Sequence, residues 1–357
     1  MATHRLPELD GVLSPEDIAQ TAEYLADMQE ASGAIPWFRG GHLDVWDHVE
    51  CAMALATAGH TQAAMRAYGW LADIQLPDGS WPAKLRHGHA VTGLREANHA
   101  AYIAVGVWHQ LVLTEDENWA HRLFPTVQAA LDFVLDLRTP RGEVRWARDA
   151  DGTAGDHALL TACSSIHHAL RCGVHLADRL GAARPDWELA AAQLGHLISE
   201  HEDIFADRSR FSMDWYYPIL GGAVRLGAQT RIDERWDQFV VPGLGIRCVS
   251  DQPWVTGAET CELVIALAAL GLREHGTQLL AAMQHLRDPA DGAYWTGYQF
   301  VERRNWPVER SSWTAASVIL AADALTQTTP GARVFTDVAA EPGAVDPDRC
   351  GCGVLVR

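Results

Sequence analysis

The 357 residues are 48% hydrophobic, enough for a sizeable core and too apolar for global disorder. With 46 acidic against 28 basic residues and a net charge of -18, the chain is ill suited to gripping a polyanion, which argues against nucleic acid and favours a neutral ligand. The opening segment Met1 to Asp10 lacks the apolar core of a signal peptide and no apolar run is long enough to span a bilayer, so a cytoplasmic protein without membrane contact is expected.

Apolar residues recur at three and four spacings in Ala/Leu-rich runs, while alternating β-branched runs are scarce. Helices carrying charge on one face are expected near 15–30, 61–75, 118–137, 186–204, 231–240 and 275–287. Between them lie 44–58, 96–113, 156–180, 213–227, 258–272 and 309–326, nearly uncharged beyond their first turns and suited to burial all round. Links after the second set are short, as at Ala58-Gly59-His60, and those after the first set are long, as at 76–94, 138–155 and 288–308. The long loops therefore gather on the face where the inner helices begin. This predicts an all-α ring of six helical hairpins, an (α/α)6 toroid over residues 1–327, followed by an extended tail over 328–357.

A repeat supports the ring. Helix ends such as Leu25 to Gln29, Leu71 to Gln75, Val134 to Arg138 and Met283 to Arg287 each run into a glycine turn and an aromatic residue, most clearly in Asp78-Gly79-Ser80-Trp81. The seven cysteines are odd in number and several sit in helical surroundings, so free thiols are expected; Cys350-Gly351-Cys352 alone is too short a motif to imply metal.

Acidic and aromatic residues collect at the inner-helix starts. Asp44, Asp47, Glu96, His99, Asp156, Asp214, Glu259, Glu262 and Arg310 fall there, and the long loops add many of the 14 tryptophans together with Tyr298. Aromatic faces beside carboxylates suit a sugar, whose C–H faces stack while its hydroxyls need polar partners. Most first-turn acids cap their helix. Asp44 has the N-cap position before Asp47, Thr256 and Glu259 have capping-box spacing, and so do Thr153 and Asp156. Asp47 and Glu262, on the first and fifth inner helices, are the best pair for glycoside hydrolysis, with Asp214 as the rival. Their placement favours the wider carboxyl separation of an inverting enzyme. Trp46, His48, His99, Asp214, Trp215, Tyr216, Glu259, Trp295, Tyr298 and Arg310 are the candidate sugar-binding residues. No P-loop, Rossmann glycine pattern, G-x-S-x-G elbow or HExxH helix is present, and no metal or other cofactor is expected.

The Gln75 to Trp81 repeat resembles that of squalene cyclases and protein prenyltransferase β subunits, but Asp44-Val45-Trp46-Asp47 is not their Asp-x-Asp-Asp acid motif and no zinc set is placed. The chain is more similar to the toroid glycosidases, above all the endo-α-mannosidases encoded with the synthesis of methylated mannose polysaccharides. That resemblance implies a mannose-containing glycan as partner, an internal α-1,4-mannoside bond as target, no cofactor, and Asp47 with Glu262 as catalytic pair. A terpenoid or prenyl-diphosphate enzyme and a non-catalytic glycan-binding toroid are the alternatives.

Overall fold

The computed structural model describes residues 5–336. Its helices are α1 (Pro15–Met28), α2 (Val45–Thr57), α3 (Thr61–Ile74), α4 (Ala97–Ala101), α5 (Ile103–Thr114), α6 (Glu117–Asp136), α7 (Leu160–Arg179), α8 (Pro185–Glu200), α9 (Ser212–Leu220), α10 (Ala228–Phe239), α11 (Gly257–Ala269), α12 (Arg273–Ala282) and α13 (Ser312–Thr326). The inner ring closes through successive contacts of α2, α5, α7, α9, α11 and α13, with α13 returning to α2. Helices α1, α3, α6, α8, α10 and α12 pack outside it, so the expected toroid is present. Composition explains the layering. Every residue of α2 is buried, and α13 is buried from Ser312 to Leu325, whereas α6 buries only the stripe that includes Trp119, Leu123, Val127 and Val134.

The repeat is a bolt between outer helices. Gln29 and Gln75 each use the side-chain amide twice: Gln29 donates to the carbonyls of Gly33 (3.0 Å) and Ala63 (2.9 Å), and Gln75 to those of Gly79 (2.8 Å) and Thr126 (2.9 Å). One bond closes the turn and the other reaches the next outer helix. Gly79 has φ +88°, and a Cβ there would lie 2.0 Å from the carbonyl oxygen of Ala129. Backbone approach and backbone conformation thus both demand glycine. Gly79→Ala is expected to cost about 3 kcal/mol or more, since neither fault can relax without shifting α6; the denaturant midpoint measures it.

Several boundaries differ from the expected ones. The second inner element is divided at Tyr102 into α4 and α5. Helix α7 starts at Leu160 rather than 156, leaving Asp156 exposed and paired with His157 instead of capping. Helix α9 ends at Leu220 rather than 227, where Gly222 turns the chain out of the helix with φ +79°; just before it, the end of α9 packs so closely on α7 that a Cβ at Gly221 would lie 2.3 Å from the Ser164 carbonyl oxygen. The mouth also carries strands that the sequence does not reveal. A five-stranded antiparallel sheet runs in chain order through β5 (Val240–Val241), β6 (Gly245–Arg247), β7 (Trp254–Thr256), β8 (Gly297–Gln299) and β9 (Arg304–Asn305); four two-residue strands, β1 (Leu85–Arg86), β2 (His89–Ala90), β3 (Arg95–Glu96) and β4 (Ala147–Arg148), form two further antiparallel pairs, β1 with β2 and β3 with β4. Strands of two or three residues are too short to show alternation. Their role is positional: β7 pairs with β8 in the register Val255↔Tyr298 and leads directly into α11.

The segment after α13 begins as a 3-10 helix, Pro330–Phe335, that contacts α5, α11 and α13. His168 donates from Nε2 to the Val334 carbonyl (3.0 Å) and stacks on Phe335. The start of the expected tail is therefore folded against the ring; the rest of it, with Cys350 and Cys352, lies outside the described residues. Among the described residues no helix is long and apolar enough to cross a membrane.

Candidate active site

Two inner-helix starts build the centre of the site. At α2, Asp44 occupies the N-cap and its carboxylate accepts the Asp47 N–H (2.9 Å). Asp47, freed from capping, is only 9% exposed, and one turn deeper lies Glu50, 3% exposed. At α11, Glu262 is 2% exposed and accepts the hydroxyls of Tyr216 and Tyr217, the latter at 2.6 Å. These carboxyls feel one another. Burial and then the neighbouring Asp44, Glu50 and Glu262 push the Asp47 carboxyl well above its ordinary range. Burial and Glu50 do the same to Glu262, against the opposing pull of its two tyrosines. The tyrosine hydroxyls are themselves pushed well up by burial and by Glu262, so they stay protonated donors.

Glu50 is the residue that sequence reasoning missed. Its Oε1 accepts from Trp46 Nε1 (2.9 Å) and the Tyr102 hydroxyl (3.0 Å), and its Oε2 from Trp313 Nε1 (2.8 Å) and the Ser317 hydroxyl (3.4 Å). Burial raises its pKa, but four neutral donors oppose the rise. The signal available was the only acid beyond the first turn of an otherwise uncharged inner helix. The same bonds fix the aromatic walls. Trp46 stacks on Tyr102 (5.2 Å between centroids) and meets Tyr217 and His99 edge-on, while Trp313 lies 5.6 Å from Trp37. Trp37 in turn stacks on His42 and donates to Glu309 (2.8 Å).

The other candidates divide. Trp46, His99 and Tyr216 lie at the cluster, with His99 Nε2 3.5 Å from Glu96. Glu259 is buried and its pKa is raised by burial. The capping-box explanation for Glu259 fails, since Thr256 places no side-chain bond on the backbone of the helix. His48 is turned away from the mouth: its Nδ1 accepts the Ile35 N–H (3.1 Å), its Nε2 donates to the Ala67 carbonyl (3.0 Å), and burial lowers its pKa to about 4. It is a neutral strut between α2 and α3, not a sugar ligand. Trp215 is likewise core, stacked on Phe239 and donating to the Arg231 carbonyl (2.8 Å). Asp214, the rival acid, accepts the N–H and hydroxyl of Thr161 at one carboxylate oxygen, tying the start of α9 to α7. Arg310 is held by Asp288 and Asp291, Tyr298 rests edge-on against His285, and Trp295 lies beside Arg310. Among the described contacts none of these three reaches the carboxyl cluster.

No family model matches the chain. A whole-length relative decides the family: the chain is 50% identical over 353 residues to the MMP endo-(1,4)-3-O-methyl-alpha-D-mannosidase of Mycolicibacterium hassiacum, covering 99% of this chain and 98% of that one. The chain belongs to this mannosidase's family. It is thus a glycoside hydrolase, and the terpenoid and prenyl-diphosphate alternatives raised by its repeat fall away. Solved structures place the family's fold more widely. A D-mannose isomerase is similar with a TM-score of 0.71 at 12% identity, over 88% of this chain and 96% of that one. The GH63 mannosylglycerate hydrolase from Thermus thermophilus follows with a TM-score of 0.68 at 14% identity, over 85% and 99% of the two chains. At such identities the likeness is one of fold, and an isomerase beside a hydrolase illustrates that the toroid hosts more than one chemistry.

Proposed function

We propose that the chain is an endo-acting hydrolase of α-1,4-linked mannose chains, methylated or plain, with Asp47 and Glu262 as its catalytic carboxyls and the cytoplasm as its location. The whole-length identity to an enzyme named for an endo-(1,4)-3-O-methyl-mannosidase activity carries the substrate class. Asp47 is the general acid in this reading. Its side chain is surrounded by Asp44, Glu50 and Glu262, so it is the carboxyl best placed to keep a proton. Glu262, with a tyrosine hydroxyl on each oxygen, is better supported as an anion and activates water as general base. Helix α13 stands between α2 and α11 in the ring, which supports the wider gap of an inverting mechanism. Free thiols buried in the helices suit the cytoplasm.

The test is incubation with α-1,4-mannooligosaccharides of increasing length, methylated and unmethylated, with and without EDTA. Shorter internal fragments, released with inverted anomeric configuration by NMR and unaffected by chelation, are the expected products. Binding without cleavage of these oligosaccharides would overturn this assignment of the substrate.

A further inference from the structure

Outside the carboxyl cluster, the rim of the mouth holds an open groove of about 710 Å³ between α1 and the loop residues 38–39, 290–291 and 308–310. Its volume falls in the range of small-molecule sites. The Tyr24 ring is half-buried there, its hydroxyl donating to the Arg310 carbonyl (3.2 Å). The Arg310 guanidinium lies 5.8 Å from the Tyr24 ring centre and is held by Asp288 (3.1 Å) and Asp291 (2.8 Å). Phe38 adds a second half-buried ring, Val308 is 74% exposed, and Glu23 and Asp27 offer carboxylates from α1.

These groups select a ligand class. Glu23, Asp27, Asp291 and Glu309 outnumber the guanidiniums of Arg39 and Arg310, so the lining is net acidic and disfavours a polyanion, and its charged groups disfavour a purely apolar ligand. Aromatic faces beside fixed carboxylates and a pinned guanidinium match a neutral polyol, whose C–H faces stack and whose hydroxyls both donate and accept. The groove also adjoins the catalytic walls. Glu309 lines it and accepts the Trp37 indole N–H, and Trp37 abuts Trp313, which donates to Glu50.

We propose that this groove binds sugar units of the glycan lying beyond those held over Asp47 and Glu262, so that a long chain is gripped at two places. The proposal rests on the mannan-hydrolase reading above and explains the position of Arg310, which the sequence marks as a sugar ligand but the ring places away from the carboxyl pair. The groove acts by binding that is equal in ground and transition states, so its loss raises KM and leaves kcat.

The experiment compares short and long α-1,4-mannooligosaccharides on the parent enzyme and on Phe38→Ala and Asp27→Ala. The second variant changes an exposed residue that leaves the fold intact. Each is expected to raise KM for long chains by about threefold to tenfold, the scale of one lost stacking or polar contact, with kcat and the kinetics of short chains unchanged. Calorimetric titration of the same oligosaccharides into Asp47→Asn protein, with and without the groove substitutions, reads binding without turnover. Cleavage with identical KM for every length in both variants would overturn the groove proposal alone. Absence of both cleavage and oligosaccharide binding in the parent would overturn the groove and the mannan-hydrolase reading together.

Discussion

If Asp47 and Glu262 are the catalytic pair, as proposed, Asp47→Asn and Glu262→Gln are each expected to lower kcat by about 10²–10⁴-fold, the range of a lost positioned acid or base, while glycan binding persists. The two are separable by substrate. A mannoside with an acidic leaving group needs no proton from the enzyme, so it restores much of the rate of Asp47→Asn and little of that of Glu262→Gln. The opposite pattern would exchange the assigned roles, and near-normal rates from either variant would remove that residue from the pair. Stability moves the other way. A buried carboxyl whose pKa is raised by folding binds its proton more tightly in the native state, so its stabilising contribution is complete below the unfolded carboxylate range and is lost as pH rises through the raised value. Asp47→Asn escapes that loss. It should therefore melt higher than the parent at neutral pH, with the difference shrinking as pH falls towards about 4, where unfolded carboxylates protonate.

The ring was legible in the sequence because its signals are redundant. Helical periodicity, the alternation of amphipathic and uncharged segments, and a fourfold turn repeat all describe one architecture. The proposed pair, Asp47 and Glu262, was singled out for a related reason: a carboxyl inside an otherwise uncharged helix has no cheap explanation where it lies beyond the capping position. Side-chain direction was less accessible. His48 and Trp215 stand beside Asp47 and Asp214 in sequence, but a one-residue step on a helix turns a side chain by roughly 100°, and both face outer helices instead of the mouth. The donors of Glu50 were out of reach for a different reason. Tyr102 and Trp313 lie 52 and 263 residues away from it, and only ring closure brings them together.

Glu50→Gln is the second change with a large expected effect, and the symmetry of its surroundings makes the outcome unusually constrained. Each carboxylate oxygen holds one indole N–H and one hydroxyl. A glutamine can present its carbonyl to only one of the two ends. At the other end its amide faces a hydroxyl that can rotate to accept and an indole that can only donate. In either orientation one of Trp46 and Trp313 loses its acceptor, at a cost of about 1–3 kcal/mol for a buried unsatisfied donor, and the wall that it forms loses its anchor. The substitution also removes the negative charge that helps raise Asp47 and Glu262. With Asp47 as the proposed general acid, it then gives up its proton at lower pH, so the alkaline limb of kcat/KM is expected to move down, in addition to any fall in rate. Ser317→Ala removes the longest of the four bonds and keeps the charge, and it should leave that limb in place. A merely structural role for Glu50 would lower the rate or the melting point of Glu50→Gln with the pH profile unmoved; a shifted alkaline limb in Glu50→Gln but not in Ser317→Ala identifies the buried charge as what holds the proton on the acid.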